Sequence, residues 1–334
     1  MTARRPGLAG ALAGLPAVVL LSGAATLMAS SFAQAQPYPT QTVRMIVPFA
    51  AGGLNDTTAR LLQPALEKAL GQTVIVDNRP AASGIVGTDA VAKAAPDGHS
   101  LLVVASTHTV VPATNPKLPY NIERDLAAIV QVTRSPFLFV VNSKVPAKTL
   151  QEFVALAKKE PDKYNYASPG AAGHNHLVTA LFSRRAGITM QHVPFRGGAP
   201  AIQSLVAGDT HFAVISPLAA MAQIKAGTVR VLAVGGLDRD PQLPDIPTVA
   251  ESGYPGFEAI QWVGILTTGG TPKPVVDRLN AELNKVIRDP ATVERFEKLG
   301  VSLVGGGSDD FQKQIMSEYR NWVEIAREAN IKAE

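Results

Sequence analysis

Short apolar runs alternate along this chain with stretches in which apolar residues recur at helical spacing. The clearest unit spans residues 42–70. Residues 42–47 are β-formers, apolar enough to predict a buried parallel strand. Pro48 has no N–H to continue a ladder and ends it. Ala50, Ala51, Gly52 and Gly53 follow as a loop almost without side chains. Ala59, Leu62, Leu66 and Leu70 then mark the apolar face of a helix, with Asn55 or Asp56 expected as N-cap and Gly71 as its stop. Pro64 predicts a kink inside it.

The same grammar continues. Strands are predicted at 73–76, 101–105, 137–141, 164–167, 189–193, 211–215, 229–234 and 260–266. Helices are predicted at 83–94, 149–159, 174–185, 199–207, 218–225, 272–288, 291–299 and 309–329. Such alternation predicts an α/β fold with a mostly parallel sheet. The stretch 164–185 copies 42–70: a strand, the small-residue turn Ser168, Pro169, Gly170, Ala171, Ala172, Gly173, then a helix. A helix start leaves backbone N–H groups unpaired and points the positive end of its dipole at them, which suits an anion. Two such tips across a cleft would hold an anion between two helix starts. Neither has the lysine of a nucleotide P-loop or the spacing of GxGxxG.

Composition narrows the setting. Arg4 and Arg5, an apolar run over 8–28 and the A-x-A site Ala33-Gln34-Ala35 read as a signal peptide over 1–35, removed on export. The remaining chain of about 300 residues is long enough for two domains. Without Arg4 and Arg5 the 31 basic residues become 29, against 27 acidic ones. With no basic cluster interleaved with aromatics, nucleic acid is not an expected partner. There is no cysteine, hence no disulfide and no lipoprotein anchor. No second apolar run is long enough to span a bilayer.

Ordered short motifs carry a resemblance: V-P-F-A-A-G-G at 47–53 with Asp56 and Arg60, V-D-N-R-P at 76–80, A-K-A-A-P-D-G at 92–98, K-L-P-Y at 117–120, H-V-P-F at 192–195 with Gly197, L-P-D-I-P-T at 243–248 and E-S-G at 251–253. The chain resembles the periplasmic receptors of the tripartite tricarboxylate transporter family, also called Bug-type receptors. The resemblance implies a two-domain periplasmic-binding-protein fold of type II. One domain would be 37–137 plus 260–334 and the other 138–259, joined by two crossover strands around a central ligand cleft. It also implies a monomeric periplasmic receptor that takes a small organic carboxylate and passes it to integral-membrane transporter subunits, with no cofactor. One carboxylate would be held at the two tips, here Phe49 to Gly53 and Ser168 to Ala172. Many relatives carry an acid or amide where this chain has Ser216, which weakens the case for an amino-acid ligand.

The expected ligand contacts are Phe49, Ala50, Ala51, Gly52, Gly53 and Asp56 at the first tip, and Ser168, Pro169, Gly170, Ala171 and Ala172 at the second. Ser106, Thr107 and His108 end a third strand, Ser216 ends another, and Arg196 could fork onto a second carboxylate. Asp56 also reads as a purely structural cap, His108 as a core residue and Arg196 as a surface arginine. His174 and His176 point about 200° apart on a helix and cannot share one metal ion; His174 could line the pocket. The competing class is a secreted α/β hydrolase with Ser168 as nucleophile. Its A-S-P-G setting lacks the G-x-S-x-G elbow, and Pro169 removes the N–H such an elbow uses for the oxyanion.

Overall fold

The computed structural model describes residues 38–334 except 116, 162, 172, 196, 300, 329, 330 and 332–334. The signal-peptide expectation therefore lies outside the described residues. Tyr38–Glu334 form one compact unit built on two sheets.

The chain begins in the first sheet with β1 (Val43–Val47), α1 (Leu54–Leu70), β2 (Val74–Asn78), α2 (Ile85–Ala92), β3 (Ser100–Ala105), α3 (Thr107–Thr114) and β4 (Leu126–Pro136). It passes at Phe137 into the second sheet: β5 (Leu138–Asn142), α4 (Leu150–Lys159), β6 (Asn165–Ser168), α5 (His174–Ala186), β7 (Gln191–Pro194), α6 (Gly198–Ala207), β8 (Phe212–Ile215), α7 (Pro217–Lys225) and β9 (Val229–Val234). It returns through β10 (Ile260–Thr268), followed by α8 (Lys273–Arg288), α9 (Pro290–Glu297), β11 (Ser302–Leu303) and α10 (Ser308–Glu328).

The two sheets share one plan. The first runs β11-β4-β10-β3-β1-β2 and the second β7-β6-β8-β5-β9. In each, a first strand (β1 or β6) lies parallel between two others. In each, the crossing strand from the other sheet (β10 or β5) pairs antiparallel with the next. The crossings are bonded to one another: Phe137 N–H donates to Ala259 O (3.0 Å), Ala259 N–H to Gly235 O (2.7 Å) and Gly235 N–H to Phe137 O (2.7 Å). A Cβ at Gly235 would lie 2.6 Å from Ala259 O and 3.1 Å from Phe137 O, so only glycine fits at this junction.

The cores differ in make-up. The first is mainly aliphatic, with Val43, Met45, Leu62, Leu66, Leu101, Val263 and Leu279 fully buried. The second is aromatic: Phe139, Phe153, Phe182, Phe212 and Phe257 meet mostly edge to face. Helix α10 serves both. Phe311 and Ile315 pack with the first sheet's residues, while Trp322 meets the second core and Ala326 touches Val110 and Leu177.

Four local expectations are corrected. Gly53, not Asn55 or Asp56, is the N-cap of α1, with no side-chain cap bond. α1 continues as one helix through Pro64, which is exposed, so the carbonyl it deprives of a partner can turn to water. The predicted helix at 83 starts only at Ile85, because Ala82 and Ser83 adopt positive φ (48° and 55°). Finally, α3 and β4 occupy stretches for which the pattern predicts neither element. Thr149 and Glu152 form a capping box at the start of α4.

Candidate ligand-binding site

Strand order reverses beside β1 and beside β6, since each has its chain successors on opposite sides. In open α/β sheets ligands bind outside the carboxyl ends of the strands at such points. The predicted tips follow β1 and β6, and Ser106 and Ser216 follow β3 and β8.

The two tips are built alike. Gly53 caps α1 with φ −78° and ψ 172°; Gly173 caps α5 with φ −83° and ψ 173°. The second residue of each helix is an asparagine that ties it to the neighbouring strand. Asn55 Nδ2 donates to Val103 O (3.2 Å), and Asn175 Nδ2 donates to Val214 O (2.8 Å). The first N–H to close a helical bond is that of Thr57 in α1, to Gly53 O (2.9 Å), and that of Leu177 in α5, to Gly173 O (3.0 Å), so the first turn of each helix faces its glycine tip. Ala50, Ala51, Gly52, Gly53 and Ala171 are exposed; Phe49, Pro169 and Gly170 are partly so. Among the described residues nothing lies within 4 Å of a Cβ placed on Gly170, and only Ala50 O, at 3.7 Å, near one on Gly53. Both tips are open.

Their clamps differ. Asp56 is buried and its carboxylate accepts from Gly52 N–H (2.8 Å), Arg60 Nε (3.0 Å) and Asn78 Nδ2 (3.0 Å). Asn78 Nδ2 also reaches Phe49 O (3.2 Å), so the V-D-N-R-P motif braces the first loop. Burial pushes the Asp56 carboxyl upward, but the hydrogen bonds from Arg60, Gly52 and Asn78 outweigh it and hold the group below its ordinary range. Gly52 N–H is thereby occupied by the protein itself, and Asp56 shapes the tip.

At the second tip Ser168 is fully buried. Its hydroxyl donates to Gly170 O (2.8 Å), and its oxygen lies 2.6 Å from His192 Nε2. A hydroxyl has one proton, so with that proton on Gly170 O the His192 nitrogen is the donor. His192 stacks on His176 and Tyr166. Burial, then the nearby His176, push it down to about 4, and it stays neutral. The burial of Ser168 counts against the hydrolase alternative, since a nucleophile must be open to its substrate. The V-P-F-x-G stretch completes the clamp, through Phe195 N–H to Ser168 O (2.8 Å) and Gly197 N–H to Pro169 O (2.9 Å).

The third strand end joins the two halves. Ser106 Oγ lies 2.6 Å from His174 Nδ1. His174, which could line the pocket, is buried, with its ring edge-on to both Phe137 and Trp322. Ser216 is the N-cap of α7, partly exposed, with Pro217 as first helical residue. Thr107 is partly buried and His108 buried beside Phe49, around a small cavity between the first and third loops. Ala172 and Arg196 lie outside the described residues.

The family profile described as "Tripartite tricarboxylate transporter family receptor" matches residues 58–331. The chain belongs to this family. Among solved structures, it is similar to one titled as the periplasmic binding protein BugD (33% identity, 89% of this chain and 100% of that one, TM-score 0.78). It is similar to a protein of R. palustris solved with adipate (28%, 88% and 99%, TM-score 0.81). A third likeness is to MatC of Rhodopseudomonas palustris with bound malate (32%, 86% and 99%, TM-score 0.77). The receptor therefore has the two-sheet α/β fold of periplasmic binding proteins, and it is a solute-binding protein, not an enzyme.

Three residues in this receptor have roles that the motifs do not reveal. Asn55 and Asn175 share the spacing Gly-x-Asn at both helix starts, a repeat visible in the sequence once the two tips are aligned. His192 opens the H-V-P-F motif, but its link to Ser168 spans 24 residues and exists only because β6 and β7 pair in parallel.

Proposed function

We propose that this receptor is exported to the periplasm after loss of residues 1–35. There it holds the carboxylate of a small organic acid between the helix starts of α1 and α5 and hands it to the membrane subunits of a tripartite transporter. The observation that carries this reading is the matched construction of the two tips: a glycine N-cap, an asparagine tied to the next strand, and an open small-residue loop leading into a helix start at the carboxyl end of β1 and of β6. Backbone donors and helix dipoles suit an anion without needing a charged side chain. The adipate and malate bound by two similar proteins support the ligand class. Among the described residues no helix is long and apolar enough to cross a membrane.

The bodies that close on the ligand are 37–137 with 260–334, and 138–259, turning about the bonded Phe137, Gly235 and Ala259 backbones. Because α10 touches both cores, closure involves sliding along Trp322 and Ala326.

The test is a thermal-shift screen of the mature protein against mono-, di- and tricarboxylates. A ligand present at 100 times its Kd adds about 2.7 kcal/mol. A stabilising acid whose carboxamide analogue is inert supports the reading; stabilisation by acid and amide alike contradicts it.

A further inference from the structure

The cavity between the first and third loops is lined by Phe49, Ser83, Val104, His108, Val111 and Tyr120, among others. His108 is 6% exposed, and its Nε2 is buried without a hydrogen-bond partner among the described residues. An unpaired polar atom in such a place is costly unless something else supplies the bond. The Tyr120 hydroxyl is held by Thr88 at the same wall. The loop that brings Ser83 to it is kept at positive φ over two non-glycine residues, a strain that clusters at ligand sites. Phe49 belongs to the first tip, so the cavity adjoins the place proposed for the carboxylate.

We infer that this cavity is the distal subsite of the receptor and takes an uncharged hydrogen-bonding group of the ligand, a hydroxyl or a carbonyl, rather than a second carboxylate. The inference rests on the carboxylate reading above. Size and charge both argue for it. The free volume is about 10 Å³, close to the room of one water oxygen. No lysine or arginine is among the described residues that line it. The charge felt at the Tyr120 hydroxyl is that of an acid, Asp89. Burial pushes His108 down to about 4, so it offers no positive charge near neutral pH. A second carboxylate would enter uncompensated. A hydroxyl both donates and accepts, and satisfies Nε2 in either tautomer of the ring.

Matched pairs test this: 4-hydroxybutyrate against succinate and 6-hydroxyhexanoate against adipate, by calorimetric titration of the wild type, His108→Leu, His108→Gln and Tyr120→Phe. Thermal melts establish that each variant folds. We expect the hydroxy acid to bind at least about tenfold more tightly than its diacid partner. His108→Leu should erase that preference, and His108→Gln should keep part of it. Diacids that bind as tightly as hydroxy acids, or a His108→Leu variant that weakens both members equally, would overturn the subsite and leave the carboxylate reading standing. If no carboxylate of either pair or of the wider screen binds, both readings fall together.

Discussion

The first and second tips end in matching N-caps and are held by different clamps. The caps Gly53 and Gly173 agree within 5° in φ and 1° in ψ, and Asn55 and Asn175 make the same bond to the neighbouring strand. Yet one loop is braced by the charged group Asp56, Arg60 and Asn78, and the other by the neutral pair Ser168 and His192. What the two halves hold in common is where their helix N–H groups lie. A ligand bound by backbone needs only that placement, and the side chains behind it can differ in chemistry.

The largest effects should come from covering the tips. Gly53→Val and Gly170→Val place a branched side chain in the open space at each tip. Neither glycine has a positive φ, and neither Cβ meets a close neighbour, so both variants should fold with stability within about 0.5 kcal/mol of wild type. Each should lose on the order of 100-fold in affinity, the worth of one or two hydrogen bonds to a charged group. A calorimetric titration with one confirmed acid measures this. Equal losses support equivalent tips; a loss at only one breaks the comparison.

Next come the clamps. Asp56→Ala leaves Arg60, Asn78 and Gly52 without their common acceptor, and should cost about 2–3 kcal/mol in denaturant unfolding. Ser168→Ala removes one neutral hydroxyl and should cost about 1 kcal/mol. Similar costs would mean that the charged clamp contributes no more than the neutral one.

Sequence reading reached the tips and most of the fold because glycine loops, apolar strands and helix faces are local signals. It missed β4 because Gln131, Thr133 and Ser135 are polar yet buried there, paired across to β10, with two register shifts in that pairing. The helix α3 was hidden by Pro112 and by Thr109, Val110 and Val111, which disfavour helix; Val110 is buried against Leu177 and Ala326, and that packing overrides propensity. The Ser106–His174 and Ser168–His192 bonds span 68 and 24 residues, so no local pattern contains them.

The asparagines should show a smaller contrast. Asn55→Ala should cost about 1–2 kcal/mol and Asn175→Ala about 1 kcal/mol, since Asn55 is buried and Asn175 only partly so. Chemical unfolding checks the order.

The smallest effect separates the tips by pH. In the folded protein His192 takes up its proton only at about pH 4, while an unfolded histidine takes one near 6.5. The unfolded state therefore binds more protons between those values, and the stability from the neutral ring is full above about 6.5 and lost as pH falls toward 4. Asp56 is held below its ordinary value, so its contribution is present above about 4 and lost only as pH falls further. Amide protection, taken against the intrinsic exchange rate at each pH, should thus fall first around Gly170 and only at lower pH around Gly52. The reverse order would contradict the assignment of the clamps.

The central claim is that one carboxylate bridges both helix starts, and amide NMR on the labelled mature protein tests it most directly. Titration with a confirmed acid should shift the amide signals of Leu54 and Asn55 and those of His174 and Asn175 along curves with one shared Kd. Shifts confined to one of the two pairs, or two pairs that titrate with different Kd values, would contradict it.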